Sequence, residues 1–286
     1  MVSAKHTSTT GVSVKKIGPT GIAAAEDSLV TEEPLGLRLA WPDGGEEVVH
    51  DIAVTMRTPG NDFDLALGFL YGEGFITVMD QVAGISWEPD ERGAEQPNLL
   101  RVSLHTRPAV DPAALQRNIF VTSSCGICGK ASLDAISVQA PFPVRGESLR
   151  VSADTLNRLP GELEKGQRIF ADTGSIHAAA LFDAGGLTGD IYEDVGRHNA
   201  VDKLIGAKLH AGNLPLWNFG VIVSGRAGFE LVQKARMAGI AMLVAVGAPS
   251  SLAVELAWES GMTLAGFLRG GRFNVYAGPA RIVTGG

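Results

Sequence analysis

The stretch FGVIVSGRAGFELVQKARMAGIAMLVAVGA, residues 219–248, decides the fold class. FGVIVSG and IAMLVAVG are unbroken apolar runs, and GFELVQKARMAG between them reads as a helix. Strands that are continuously apolar, rather than alternating, are buried on both faces, and a helix between two of them predicts a parallel pair. The pattern extends outward in both directions. Upstream, IHAAALF reads as a strand, and GRHNAVDKLIGAKLHAG as a helix with Ala200, Leu204 and Ala207 or Lys208 at helical spacing. Downstream, SLAVELAWESG is a helix, and MTLAGFLR and RFNVYAG are strands. Buried strands alternating with helices predict a three-layer α/β core that is at least partly parallel.

Before this core, LGLRLAW and VVHDIAVTMRT alternate apolar and polar residues around Asp43-Gly44-Gly45, the pattern of a β-hairpin. Thr58-Pro59-Gly60 ends the second strand. Asn61 or Asp62 is placed to cap a helix carrying Phe63, Leu67 and Leu70, which the glycines at 72 and 74 terminate. Residues 88–98 read as a charged loop and LLRVSLHT as a further strand. The expected organisation is a flexible N-terminal tail (1–28), a small β-rich lobe (29–110) and an α/β core (111–286).

Composition narrows the function. Hydrophobic residues make up 45% of the 286, which excludes a disordered chain. The formal charge of −7 argues against a bulk polycation for nucleic acid. That charge is unevenly spread: residues 1–196 carry 15 basic and 27 acidic side chains, residues 197–286 carry 9 and 4. A basic C-terminal third suits an anionic ligand such as a phosphate or pyrophosphate, although solvated helix faces would account for the count equally well. No secretory h-region or membrane-spanning run is present, so the expected compartment is the cytoplasm, with no membrane partner.

Both cysteines lie in Cys125-Gly126-Ile127-Cys128-Gly129. A thiolate in a glycine-flanked loop entering a helix is activated by unpaired amides and the helix dipole. Four readings compete. Structural zinc needs four ligands, and the six histidines supply no second metal pair, so no structural metal is expected. A thioredoxin-like pair expects an earlier position in the chain. Inert buried cysteines fit poorly with a Gly/Ser loop. The fourth is a sulfur carrier, in which one thiolate takes a sulfane sulfur and the second later attacks it, leaving a disulfide.

Four other stretches carry chemistry-bearing residues, each beside a plain structural reading. His177, in DTGSIH, could orient a thiol, but a histidine opening an apolar strand is more often structural. Asp194 reads as an N-cap, with Arg197, His198 and Asn199 in the first helical turn. Cations there oppose the helix dipole, so they suit an anion or a polar ring edge, or they are merely solvated. Ser224-Gly225-Arg226-Ala227-Gly228 joins strand to helix as phosphate-cradling turns do, without a phosphate-loop signature. Phe267-Leu268-Arg269-Gly270-Gly271-Arg272 places two arginines around a glycine turn, which suits pyrophosphate or is an ordinary β-turn.

Taken in order, CGICG, DTGSIHAA, EDVGRHNAVDKLIG, SGRAGFELVQKARMAGI, GAPSSLAVELA and GMTLAGFLRGGRFNVY resemble the formate dehydrogenase accessory sulfurtransferase FdhD family, as does RTPGNDFDLALGFLYGEG earlier. The resemblance runs from about residue 35 to 281. It implies a cytidine-deaminase-like α/β core and a homodimer. It implies a persulfide on Cys125 assisted by Cys128, with sulfur drawn from a cysteine desulfurase and passed to the molybdenum cofactor of formate dehydrogenase. It also implies that Phe267, Leu268, Arg269, Gly270, Gly271 and Arg272 lie at that cofactor, bis-molybdopterin guanine dinucleotide, with a guanine nucleotide as its mimic. The deaminase zinc pattern is absent: Cys125 follows Ser124, and His177-Ala178-Ala179 lacks the glutamate. Two rivals remain at this stage, a thiol–disulfide oxidoreductase using the paired cysteines and a chaperone that only holds the pterin.

Overall fold

The first element from the amino end is one that the sequence does not announce. In the computed structural model, which describes residues 7–19, 21–90, 93–111, 140–144 and 149–284, the expected tail carries an antiparallel ribbon. Its strands are β1 (Thr9–Gly18) and β2 (Gly21–Val30), in register from Thr9↔Val30 to Gly18↔Gly21. Most of their side chains are exposed on both faces. With no buried face there is no apolar period to read, and backbone pairing with polar contacts such as Ser13 Oγ donating to Glu26 (2.6 Å) supplies the order.

The next strands form a four-stranded sheet ordered β4-β3-β6-β5. β3 (Glu33–Asp43) and β4 (Glu46–Arg57) make the expected hairpin, with Leu35, Leu37, Leu39 and Trp41 turned inward. Helix α1 (Asp62–Gly72) follows, and β5 (Val82–Pro89) and β6 (Glu95–Leu104) close the sheet, β6 running parallel to β3. The expected charged loop 88–98 is therefore shorter. Asp90 Oδ1 accepts from the Ala94 amide (2.8 Å), tightening the turn so that its flanks extend the strands. Asn61 occupies the N-cap of α1 in a left-handed conformation without a capping side-chain bond. Asp62 is drawn instead to the buried Arg57, whose Nε donates to it at 2.6 Å.

The remaining elements build the core: β7 (Val151–Ser152), α2 (Ala153–Gly166), α3 (Arg168–Thr173), β8 (His177–Phe182), β9 (Leu187–Asp194), α4 (Arg197–His210), β10 (Gly220–Val223), α5 (Phe229–Met237), β11 (Met242–Ala245), α6 (Ser251–Glu259), β12 (Thr263–Arg269), β13 (Arg272–Ala277) and β14 (Ile282–Val283). Six of them form a mixed sheet ordered β13-β12-β11-β10-β8-β9. The two apolar runs of residues 219–248 are its centre, β10 parallel to β11 and β11 parallel to β12, and all four residues of β10 and of β11 are buried. One sheet face presents Ala179, Leu181, Val221, Val223 and Leu243 to α1, α4, α5 and α6, in one apolar cluster with the four-stranded sheet. The other face presents Ala178, Ala180, Ile222, Met242 and Val244 to Leu156, Leu159 and Leu163 of α2.

The first face is joined to the four-stranded sheet by a close helix crossing. A side-chain carbon on Gly68 would strike the carbonyl of Asp202, and one on Gly206 the carbonyl of Asp64, so α1 and α4 touch backbone to backbone. Charges flank this seam. Lys234 Nζ donates to Asp202 at 2.7 Å with Glu73 beyond, and the Tyr71 hydroxyl donates to the Met237 carbonyl at 2.6 Å. Burial pushes Asp202 up to about 6 against the pull of Lys234, so at neutral pH the pair is ionised.

Asp194 is not the N-cap of α4; that position is Gly196. Asp194 ends β9, fully buried, and its carboxylate gathers four donors. They are the amides of Thr58 (3.1 Å) and Gly196 (2.8 Å), Asn199 Nδ2 (2.9 Å) and Lys203 Nζ (2.8 Å). Lys203 also donates to the Thr58 carbonyl at 2.8 Å, and Asn199 to that of Met56 at 2.8 Å. This network pins the end of β4 to the start of α4, so Asp194, Asn199 and Lys203 are spent on structure.

Candidate functional site

Strands β10, β11 and β12 run parallel, so their carboxyl ends lie side by side, where α/β sheets place ligands. Three hydrogen bonds sew that edge together: the Val246 amide to the Val223 carbonyl (3.1 Å), Gly247 to Gly225 (3.0 Å) and Phe267 to Gly247 (2.9 Å). Antiparallel β8 begins at this edge and β9 ends there, His177 pairing with Asp194. The Ala178 amide donates to Ser224 Oγ at 2.9 Å, and the Ser224 amide to the Ala178 carbonyl at 3.0 Å. Helices α4, α5 and α6 all start from this edge, with Gly196, Gly228 and Ser250 as N-caps.

The edge therefore gathers stretches that the sequence presents separately. The His177 ring lies 3.1 Å from where a side chain on Gly225 would project, and Arg197 Cβ lies 4.0 Å from the same point. Burial, then Arg197, lowers the pKa of His177, with Arg226 adding to it, so its ring is neutral at physiological pH. His198 is lowered to about 4, chiefly by burial, although its Nε2 lies 3.1 Å from Glu230. Arg197 and Arg226 take part in no ion pair among the described residues, and Arg197 Nε is buried without a partner. Both observations fit a site for an anion better than a solvated helix turn.

The expected arginine turn lies at this same end of the sheet. β12 and β13 pair as far as Arg269↔Arg272, and Gly270 and Gly271 turn the chain at φ 62° and 71°, values that glycine adopts without cost. Arg269, Gly270, Gly271 and Arg272 are exposed, whereas Leu268 is buried in the core. Arg269 stands over the Phe267 ring at 5.6 Å. Phe267 itself has φ 55°, a strained setting for a bulky residue that costs about 1–3 kcal/mol. Cys125 and Cys128 lie outside the described residues.

A cleft of about 490 Å³ opens at the same edge between α2, α3 and the strand ends. Leu163, Glu164, Gln167, Phe170, His177 and Ser224 line it. Gln167 and Phe170 are not evident from the sequence, because a glutamine between two helices carries no local signal. Among the described residues no group of three or more His, Cys, Asp or Glu is placed to hold a metal ion. No described helix is long and apolar enough to cross a membrane.

Comparison with known proteins identifies the family. Residues 30–283 match the model of the FdhD/NarQ family, which leaves most of the β1–β2 ribbon outside. The chain is 48% identical over 272 residues to the sulfur carrier protein FdhD of Streptomyces avermitilis, covering 94% of each chain. It is 42% identical over 272 residues to that of Sulfurisphaera tokodaii, covering 95% of this chain and 98% of the other. Among solved structures, one described as a formate dehydrogenase accessory protein from Desulfotalea psychrophila superposes with a TM-score of 0.69 at 25% identity. It covers 96% of this chain and 99% of that one. A match over residues 30–283 to the family model, with these identities to its members, means that the chain belongs to the FdhD/NarQ family.

Proposed function

We propose that the protein is a sulfur carrier that takes sulfur from a cysteine desulfurase as a persulfide on Cys125. It delivers that sulfur to bis-molybdopterin guanine dinucleotide, its substrate, before this cofactor enters formate dehydrogenase. The reading includes a cytidine-deaminase-like arrangement of the core, a cytoplasmic setting and a pair of chains acting together. The observation that carries it is the cation-rich carboxyl edge. There Arg269 and Arg272 border a glycine turn beside the strained Phe267, at the same end of the sheet as Arg197 and Arg226, an arrangement suited to a ligand bearing two pyrophosphates. The names of the similar proteins point the same way.

The chemistry balances without a further cofactor. The Cys125 thiolate attacks the outer sulfur of the donor's persulfide, forming a new S–S bond on Cys125 and releasing the donor cysteine as a thiolate. Cys128, as thiolate, then attacks the Cys125 sulfur. The outer sulfur leaves as hydrosulfide, two electrons richer, and the two cysteines are oxidised to a disulfide that a cellular dithiol reduces. The arginine edge holds the substrate by its phosphates. The test is complementation in a strain lacking this gene. Cys125→Ala is expected to restore no formate dehydrogenase activity, and full restoration would overturn the reading.

A further inference from the structure

The tip of the β1–β2 ribbon and the outer face of the four-stranded sheet are both left bare by this chain. At the tip Ile17 pairs directly with Ile22, and the two are 80% and 69% exposed. Lys15 and Lys16 stand beside them, and residues 9–24 hold no acidic side chain. A lone two-stranded hairpin is marginal in water, so a bare apolar pair at its far end calls for a surface that covers it. The root of the ribbon is held. The Thr31 amide donates to the Ser8 carbonyl (2.9 Å), and the Thr31 and Thr10 hydroxyls share a hydrogen bond (2.8 Å). On the sheet, Gly36 pairs with Val54 on one side and with Leu99 on the other. With no side chain in the middle of that row, a hollow of about 600 Å³ opens there, and Pro34 and Pro97 extend its apolar floor. Val54 is 71% exposed, and Asp90 and Glu95 stand at the rim.

We propose that the ribbon tip of one chain docks in the sheet hollow of a second copy, with Ile17 and Ile22 against Val54 and Leu99 over Gly36, and Lys15 and Lys16 toward Asp90 and Glu95. An apolar pair meets an apolar floor, and a basic tip meets an acidic rim. In the sequence, residues 90–95 hold three acidic side chains and one basic, so the charges are complementary. The chain's own ribbon does not fill the hollow, since Ile17, Ile22 and Val54 are all exposed. It is not built to fill it either. Pro34, at one end of the hollow, is at most about 14 Å of chain from Val30 at the ribbon root. The tip stands about 30 Å from that root, along ten residue pairs in unbroken register. A hollow at the root and a plug at the far end is the geometry of exchange: in a two-fold pair, each tip reaches the root of the other ribbon. Such a contact is the same on both chains, so it closes at two copies instead of growing into a filament. The inference rests on the paired chains of the carrier reading and deepens it by naming the surface that joins them.

The full chain is followed by sedimentation over a range of concentrations. Ile17→Asp combined with Ile22→Asp, and separately Val54→Asp, are expected to weaken pairing by about tenfold or more. All three side chains are exposed, so loss of pairing in these variants is not loss of the fold. A second measurement locates the contact. A chain carrying Ile22→Cys and a chain carrying Val54→Cys, each also Cys125→Ser and Cys128→Ser, are mixed and oxidised. A disulfide between unlike chains, in preference to like chains, is expected. Pairing at wild-type strength in the aspartate variants, with no disulfide between unlike chains, overturns the proposal and leaves the paired chains standing. A wild-type chain that sediments singly at every concentration overturns both. The carrier reading fails separately, if no persulfide forms on Cys125.

Discussion

His198 opens α4 beside Arg197, with Lys234 and His177 in its field and Glu230 3.1 Å from its Nε2. The nearby carboxylate favours a proton on the ring, but burial outweighs it and the pKa falls from 6.5 to about 4. Above pH 6.5 the ring is neutral in both the folded and the unfolded chain, so it adds no pH dependence there. Between pH 6.5 and 4 the unfolded chain binds a proton that the folded chain refuses, so stability falls as pH falls through that window. Asp202, raised to about 6, works in the opposite direction over much of the same window, so the test is the difference between two chains: in urea midpoints measured from pH 7 to 4.5, His198→Gln should gain stability relative to the unaltered chain as the pH falls. His177, lowered in the same direction, leaves a residual slope. An unaltered slope in His198→Gln contradicts this electrostatic account. At this scale the sequence is only partly legible. Arg197, His177 and Arg226 could be singled out by type, but Asp194 could not be told from a helix cap. Its four donors come from elements that meet only in the folded chain.

Among the elements, the crossing of α1 and α4 sets two effects against each other. Replacing Gly68 by alanine should gain up to about 1 kcal/mol of helix propensity. The same methyl collides with the Asp202 carbonyl, in a packed seam where overpacking costs about 1–3 kcal/mol. The backbone of α4 cannot yield without moving Asp202 from Lys234, so the clash wins. Gly68→Ala should lower stability by about 1–2 kcal/mol in chemical denaturation, and a stabilised variant would contradict the crossing. The arginine turn makes a second element-level prediction. Replacing both Arg269 and Arg272 with alanine should weaken guanine nucleotide binding severalfold, and unchanged affinity would count against their place at the substrate. Elements were legible where burial imposes a period. The strands β10 and β11 and the helices α4 to α6 fall where the apolar pattern puts them. Strand β9 escapes that reading because Asp190, Glu193 and Asp194 break its apolar pattern, and β1 and β2 because they bury almost nothing.

Across the whole molecule, one apolar cluster runs from the four-stranded sheet through α1 and α4 to the central strands, and the carboxyl edge of those strands gathers Arg197, Arg226, Arg269 and Arg272, four of the nine basic residues of the C-terminal third. That convergence accounts for part of the charge asymmetry: the sequence shows an excess of basic residues, and the parallel strands bring four of them to one edge. The cleft beside α2 and α3 could not be foreseen, since its walls come from segments more than 50 residues apart, Leu163 and Val246 among them. The central claim concerns Cys125, and it is tested most directly by intact-protein mass spectrometry after incubation with a cysteine desulfurase and free cysteine. The account predicts a gain of one sulfur atom that a reductant removes and that Cys125→Ala never acquires. A chain that stays unmodified, or a Cys125→Ala chain that gains the same mass, would contradict it.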